Sequence, residues 1–389
     1  MSVVIASYAR TPFARYTGAF AAVPATVLGA HAAHAALARA GMAGEDVDRV
    51  VVGQVIQAAA GQNPARQTAV GAGVPLSVPA ITLNAVCLSG MEAITHGVRL
   101  IERGEADIVL AVGQESMSLA PHAMVGSRAG TKYGAIELVD TLEVDGLSDA
   151  FEHVSMGAST ESQNGPLGVT REDQDAWAAR SHATLAASVD YLADEIAPFI
   201  VQGRSPVTVS IDDGLRIDTT VESLAKLRPA FGALGTITAG SASQVTDGAS
   251  AVVLMRESLA VERGIQALAR IVGHSFVAGP DVYLHAQPSN AIAAALDGTA
   301  FTVDALVAVE INEAFAAVAV YSTRELGVPV DIVNAHGGAI ALGHPIGASG
   351  NRIVGHLARR LADIGPGAVG AAGICGGGGQ GAAVVLEAL

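Results

Sequence analysis

Short apolar runs rich in β-branched residues recur along the chain and alternate with segments whose apolar positions fall at helical spacing. DRVVVGQVI (48–56), DIVLAVG (107–113), ASAVVLM (249–255), ALVAVEIN (305–312) and AAVVLEAL (382–389) predict buried strands. MEAITHGVRLIERG (91–104) and NRIVGHLARRLADIG (351–365) predict helices that end at glycine. Alternation of this kind predicts α/β layers around largely buried sheets.

The pattern occurs twice. Ser89-Gly90 and Ser349-Gly350 each open a helix, and each helix leads to a buried strand expected to end at glycine, Gly113 or Gly373. VDRVVVGQVIQAA (47–59) resembles VDALVAVEINEAF (303–315), and ITLN (81–84) and DIVN (331–334) lie upstream of the two Ser-Gly pairs. These parallels predict two similar α/β halves built on one plan. Residues 118–244 interrupt the first half with irregular stretches such as APHAMVGSRAGTKYG, as an inserted cover or binding lobe would.

Composition adds size and surface character. The chain has 389 residues, half of them apolar and only 15% charged, which predicts a large core and more than one domain and excludes a disordered chain. A formal net charge of −15 gives no long-range attraction to nucleic acid or anionic membranes. Any phosphate must then be held by local groups, for which Arg216, Lys226 and Arg228 are candidates. MSVVIASYARTPF has neither a basic leader nor a long apolar stretch, and no run reaches about 18 apolar residues. The two cysteines, Cys87 and Cys375, are too far apart in sequence to suggest a disulfide framework. The expectation is a cytoplasmic protein with reduced thiols and no nucleic-acid or membrane partner.

Four segments carry candidate chemistry. NAVCLSG (84–90) sets Cys87 at a strand-to-helix turn, where unpaired N–H groups and the helix dipole are expected to lower a thiol's pKa; a small buried cysteine is the alternative. NAHGGAIALGHPIGASG (334–350) holds His344 between Gly343 and Pro345, a rigid place for a general base, whereas His336 reads as a packed, hydrogen-bonding residue. VEINEAFAA (309–317) sets Asn312 and Glu313 at a strand end, as a helix cap, as site residues or as both. ICGGGGQG (374–381) places Cys375 after the last strand of the second repeat, before glycines whose N–H groups could cradle an oxyanion. Zinc binding is the competing reading of two Cys and several His, but no local C-x-x-C or H-x-x-x-H pair supports it, and no metal site is expected. A Cys–His–Asn protease would leave the second cysteine unexplained.

In combination these segments resemble the thiolases, over the whole chain. GQESMSLAPH (113–122) and AGSASQVTDGAS (239–250) are similar to further thiolase segments, and VCLSGM, GQESMSLAPH and AKLRPAF are similar to the acetyl-CoA acetyltransferases among them. The resemblance implies an α/β, thiolase-like fold with two repeated halves stacked as α-β-α-β-α layers. The first half would span 1–117 plus 245–265, a CoA-covering loop domain 118–244, and the second half 266–389. It implies Cys87 as acyl-accepting nucleophile, His344 as its base, Cys375 as proton carrier on the substrate, and Asn312 as holding a water that forms one oxyanion hole with His344. The N–H groups of Cys87 and Gly377 would form a second. Leu147, Met156, Arg216, Ser223, Ala239, Ser243, Ala314 and Phe315 fall where CoA would be contacted.

The implied reaction is the reversible Claisen condensation of two acetyl-CoA to acetoacetyl-CoA and CoA, ping-pong through acetyl-Cys87. Coenzyme A thioesters are substrates, and no permanently bound cofactor is implied. A longer-chain 3-ketoacyl-CoA thiolase of fatty acid β-oxidation and a non-catalytic acyl-CoA- or lipid-binding relative are the alternatives. Ser155 stands where short-chain members often have histidine, and 278–288 lacks the methionine that often lines their acetyl pocket. The family forms homo-oligomers, dimers or tetramers, and the same is expected here.

Overall fold

The structure, a computed structural model, describes all 389 residues. The first half contains β1 (Val3–Arg10), β2 (Ala14–Arg15), α1 (Ala25–Arg39), β3 (Arg49–Gly53), α2 (Pro64–Gly71), β4 (Ala80–Leu83), α3 (Ser89–Glu102) and β5 (Ile108–Glu115). A lobe follows, with β6 (His122–Ala123), β7 (Val139–Asp140), α4 (Met156–Asn164), α5 (Arg171–Ala187), α6 (Val189–Ala193), β8 (Phe199–Val201), β9 (Val207–Val209) and α7 (Val221–Leu224). The chain returns to the first half through β10 (Thr246–Arg256) and α8 (Glu257–Glu262). The second half contains β11 (Ala269–Ala278), α9 (Gln287–Leu296), β12 (Leu306–Ile311), α10 (Ala316–Leu326), α11 (Ala339–Leu342), α12 (Ser349–Ile364), β13 (Val369–Gly376) and β14 (Gln380–Ala388).

Nine of these strands run in the order β12-β13-β14-β11-β1-β10-β5-β3-β4, with β2 attached to β10. β3 is parallel to β4 and β5, and β12 is parallel to β13; the remaining pairs of the main sheet are antiparallel. The halves meet where Val3, Val4 and Ile5 pair with Ile271, Arg270 and Ala269.

Alternation along each strand sends side chains to two different cores. Val50 and Val52 face an outer core shared with Leu28 and Ala33 of α1, while Val51 faces the middle of the molecule. There Met91, Ile94 and Val98 of α3 pack with Ile353, Val354 and Leu357 of α12 and with inward residues of both halves. A third core joins α9 and α10 to the far face of the second half, through Ile292, Val318, Ile311 and Val385. Helix, sheet, helix pair, sheet and helix therefore stack as α-β-α-β-α. Because α12 is sandwiched between the strands of the two halves, even its polar residues Asn351, Arg352, His356 and Arg360 are buried.

The repeated Ser-Gly pair has a packing cause. A Cβ at Gly90 would lie 2.6 Å from the carbonyl oxygen of Gly347, and one at Gly350 would lie 2.6 Å from the backbone nitrogen of Met91. Each glycine lets its helix begin against the other's, which brings the two helix starts to one point.

Two strands, β5 and β13, differ from expectation. β5 and β13 do not stop at Gly113 and Gly373; they run on to Glu115 and Gly376, because β10 and β14 continue to pair with them. DIVN is not a strand. Val330–Ile332 forms a 3-10 turn after Pro329, and only Val333 bridges to Val309. The Asn334 side chain supplies the missing ladder: it accepts from Ile311 N and donates to Ile311 O, both at 2.8 Å.

Candidate active site

Cys87 sits in a locked turn two residues before α3. Val86 adopts φ 52°, a strained value for a β-branched residue. The turn is held by Val86 N donating to Asn84 Oδ1 at 2.9 Å, Ala85 N donating to Ser89 Oγ at 2.9 Å, and Ser89 Oγ donating to Val86 O at 2.6 Å. The expected lowering of its pKa does not occur. Burial pushes the Cys87 thiol up to about 12, outweighing the N–H groups of Cys87 and Gly377 that face its sulfur. The apolar side chains of Val55, Ile56, Met117 and Ile346 that surround it are the cause. At neutral pH Cys87 is a thiol, so its attack needs a base in the same step.

The glycine-rich end is a β-hairpin. Cys375 pairs with Gly381 and Gly376 with Gln380, which leaves Gly377-Gly378-Gly379 as the loop. Cys375 is thus inside β13 rather than after it. Gly378 and Gly379 have φ 76° and 67°, and a Cβ at Gly379 would sit 1.8 Å from Asp281 O. These two glycines are required by the turn and by the segment packed on it. Gly377 instead offers its N–H to Cys87. Cys375 is fully buried, and burial together with the nearby Cys87 raises its thiol above the ordinary range.

His344 is buried, with Nδ1 2.6 Å from Ser349 Oγ and Nε2 3.4 Å from Asn312 Nδ2. The partners fix the tautomer. Asn312 Nδ2 can only donate, so Nε2 is the acceptor; Nδ1 then carries the proton and donates to Ser349 Oγ, whose own hydrogen goes to Pro345 O at 3.2 Å. Burial, with the Arg352 charge adding to it, lowers the His344 pKa to about 3. The imidazole is neutral at physiological pH, with Nε2 unprotonated and its lone pair directed at the Asn312 amide.

Asn312 directly follows β12, its N–H donating to Gly373 O at 3.0 Å. It does not cap α10, whose N-cap is Phe315. Its buried Oδ1 has no partner. Glu313 faces away and ties the motif to the lobe, accepting from Trp177 Nε1, Ser181 Oγ, Asn334 Nδ2 and Ile340 N at 2.7–3.1 Å. His336 packs on Tyr191 and hydrogen-bonds His356.

A cavity of about 290 Å³ opens onto His344. Leu147, Met156, Ser243 and Phe315 line it, with Met117 and Ile346, which also wall Cys87. Ser155 lines it too and caps α4 by accepting from Ala158 N at 3.2 Å. Ala314 lies buried beneath it, its carbonyl bonded to Ser243 N. Arg216, Ser223 and Ala239 are exposed on the lobe, outside the cavity walls. No three His, Cys, Asp or Glu side chains gather closely enough to hold a metal ion.

Sequence reasoning gave no site role to Ser349 or Ser89, the two serines that hold His344 and the Cys87 turn. The signal was present in the duplicated Ser-Gly pair.

Comparison with known proteins identifies the family. Residues 3–258 match the thiolase N-terminal domain and residues 265–388 the thiolase C-terminal domain. A probable acetyl-CoA acetyltransferase of Mycobacterium tuberculosis is 50% identical over 100% of this chain and 99% of its own length. Acetyl-CoA acetyltransferases of Shinella zoogloeoides and Chromobacterium violaceum are 45% and 44% identical, each over 100% of this chain and at least 99% of their own lengths. With both family domains matched end to end and relatives this similar over the full length, the chain belongs to the thiolase family.

Proposed function

We propose that this protein is an acetyl-CoA C-acetyltransferase that condenses two acetyl-CoA to acetoacetyl-CoA and CoA, reversibly, through an acetyl-Cys87 intermediate. The observation that carries the reading is the neutral imidazole of His344, its Nε2 unprotonated, placed on a cavity of which two wall residues, Met117 and Ile346, also pack against a protonated Cys87. The names of the full-length relatives support the substrate. A cavity of only about 290 Å³ supports a short acyl group, because the pantetheine arm must share it.

The proton balance follows from the resting states. Cys87 gives its proton to His344 Nε2 as its sulfur attacks the acetyl carbonyl, and the carbon–sulfur bond to CoA breaks. The departing CoA sulfur takes the proton of Cys375 and leaves as the thiol. The resulting Cys375 thiolate and His344 imidazolium stabilise each other as a pair in the buried site. The thiolate then removes the α-proton of the second acetyl-CoA, and the enolate carbon attacks acetyl-Cys87. A carbon–carbon bond forms, the Cys87 thioester breaks, and the imidazolium returns the proton to Cys87. Asn312 Nδ2 and the N–H groups of Cys87 and Gly377 stabilise the oxyanions.

The test is intact-protein mass spectrometry after mixing with acetyl-CoA. One acetyl group per chain, mapped to the Cys87 peptide, is expected. No adduct, or an adduct elsewhere, overturns the mechanism; preferential thiolysis of a longer 3-ketoacyl-CoA over acetoacetyl-CoA overturns the substrate assignment.

We further place the protein in the cytoplasm as a homo-oligomer, dimer or tetramer. Chemistry with two free thiols needs a reducing compartment. β4 leaves its outer edge unpaired, with Ile81 46% and nearby Leu76 71% exposed. Sedimentation above the monomer mass and recovery with cytosolic markers are expected; a monomer or an exported protein overturns the respective statement.

A further inference from the structure

We propose that Glu115 is a positioning residue for Cys87 acetylation, the first half's counterpart of Cys375, and that it acts by holding the His344 turn and the wall around Cys87 in register. The inference rests on the thiolase reading above.

The correspondence comes from the repeat. The separation from Ser89 at the start of α3 to Glu115 in β5 equals that from Ser349 at the start of α12 to Cys375 in β13. Each residue lies two places after a glycine, Gly113 or Gly373, on a strand with one parallel neighbour and one antiparallel neighbour. Each also faces a glycine across the antiparallel ladder: Gly248 opposite Glu115, and Gly381 opposite Cys375. By the same counting Gly347 is the counterpart of Cys87. Cys375 lies close enough to Cys87 to feel its charge, and Glu115 binds Gly347. The fold thus has two equivalent strand ends. One carries the reacting thiol; the other carries a carboxyl group.

That carboxyl group is fully buried, which pushes its pKa up to about 8, and both oxygens are used. Oε1 accepts from Ile56 N at 3.1 Å, and Oε2 accepts from Val55 N and from Gly347 N, both at 3.0 Å. None of these N–H groups belongs to the regular ladder of a strand or helix, so Glu115 is their support. The attached segments converge on the reacting groups. Val55, Ile56 and Ile346 all pack against Cys87. Gly347 lies in the turn between His344 and Ser349, the residue that fixes the imidazole tautomer. Releasing Gly347 would let the turn shift relative to Cys87. A displacement of about 1 Å between reacting groups can cost up to about a hundredfold in rate.

The test separates positioning from plain folding. Glu115→Gln keeps the shape but turns an amide NH2 toward an N–H donor, and Glu115→Asp keeps the carboxyl group but shortens the reach. For either folded variant, the rate constant of Cys87 acetylation per titrated thiol is expected to fall about tenfold to a hundredfold at neutral pH, with KM for acetyl-CoA within about twofold. In a His344→Ala background the same substitution is expected to add little, because it acts through His344. Iodoacetamide alkylation of Cys87 supplies the same cycle without acyl-CoA chemistry, so a failure of the thiolase reading is distinguishable from a failure here. Wild-type rates, an effect fully additive with His344→Ala, or failure of both variants to yield folded protein overturns the proposal.

Discussion

His344→Ala is expected to slow acetylation of Cys87 about 10²- to 10⁴-fold at neutral pH, the range for loss of one positioned general base. The reason lies in the resting thiol. Burial among Val55, Ile56, Met117 and Ile346 holds Cys87 at a pKa of about 12. The thiolate fraction at pH 7 is then about one in 10⁵, and it rises tenfold per pH unit. Without the imidazole, reaction must draw on that fraction, so the variant's rate should climb about tenfold per unit from pH 7 towards 11. The wild-type rate should be far flatter. His344 has its pKa lowered to about 3, so its lone pair stays available, and no loss of activity centred near pH 6.5 should appear. Stopped-flow release of CoA over pH 5–11 measures both curves. A variant parallel to the wild type at all pH values would mean that another base takes the Cys87 proton.

The pH argument turns on a fact that local sequence could not supply. NAVCLSG shows a cysteine near a helix start, which by itself argues for a low pKa. The walls that reverse the sign come from Ile346, Met117 and Val55, far apart in sequence and joined only by the fold. The same holds for Glu115, whose three partners lie on two distant loops. What was legible was periodic or duplicated. The five apolar runs each fall on a strand, although β3 stops at Gly53 and leaves residues 54–56 of DRVVVGQVI outside it; the two helices start at their Ser-Gly pairs, and the two-halves plan is present in the sequence. β1 and β11, the strands that join the halves, did not stand out. VVIASYAR carries Ser7 and Arg10 among its apolar residues, and ARIVGHSFVA carries Arg270, His274 and Ser275. Arg10 is buried in β1 because Glu195 and Asp212 from the lobe meet it at 3.2 and 2.7 Å. A polar position that a distant partner satisfies breaks the pattern on which a strand is recognised. The glycine run was conspicuous, but its division of labour was not. Two of its glycines serve the hairpin turn, and Gly377 serves Cys87.

Cys375→Ala separates the two halves of the reaction. Acetylation of Cys87 should stay within about tenfold of wild type, since a thiolate is a fair leaving group even when nothing protonates it. Condensation should fall by about 10³-fold or more, at the upper part of the range for a positioned proton carrier. The asymmetry follows from what each step asks of the site. In the first step His344 accepts the proton that matters, and Cys375 only returns one to the departing sulfur. In the second step an α-hydrogen, a far weaker acid than a thiol, must be removed. His344 is then already protonated, so Cys375 is the remaining base. Its buried position raises the thiol's pKa, which makes the thiolate, once formed, a stronger base towards carbon. Cys375→Ser should not restore condensation, because an alkoxide in that buried place would be harder still to form. The decisive measurement is a pair: the acetyl adduct by mass spectrometry, and acetoacetyl-CoA formed per acetylated chain. Comparable losses in both would place Cys375 in the scaffold rather than in the proton path. Normal condensation would transfer the α-proton to a different group, and with it the purpose of the second cysteine.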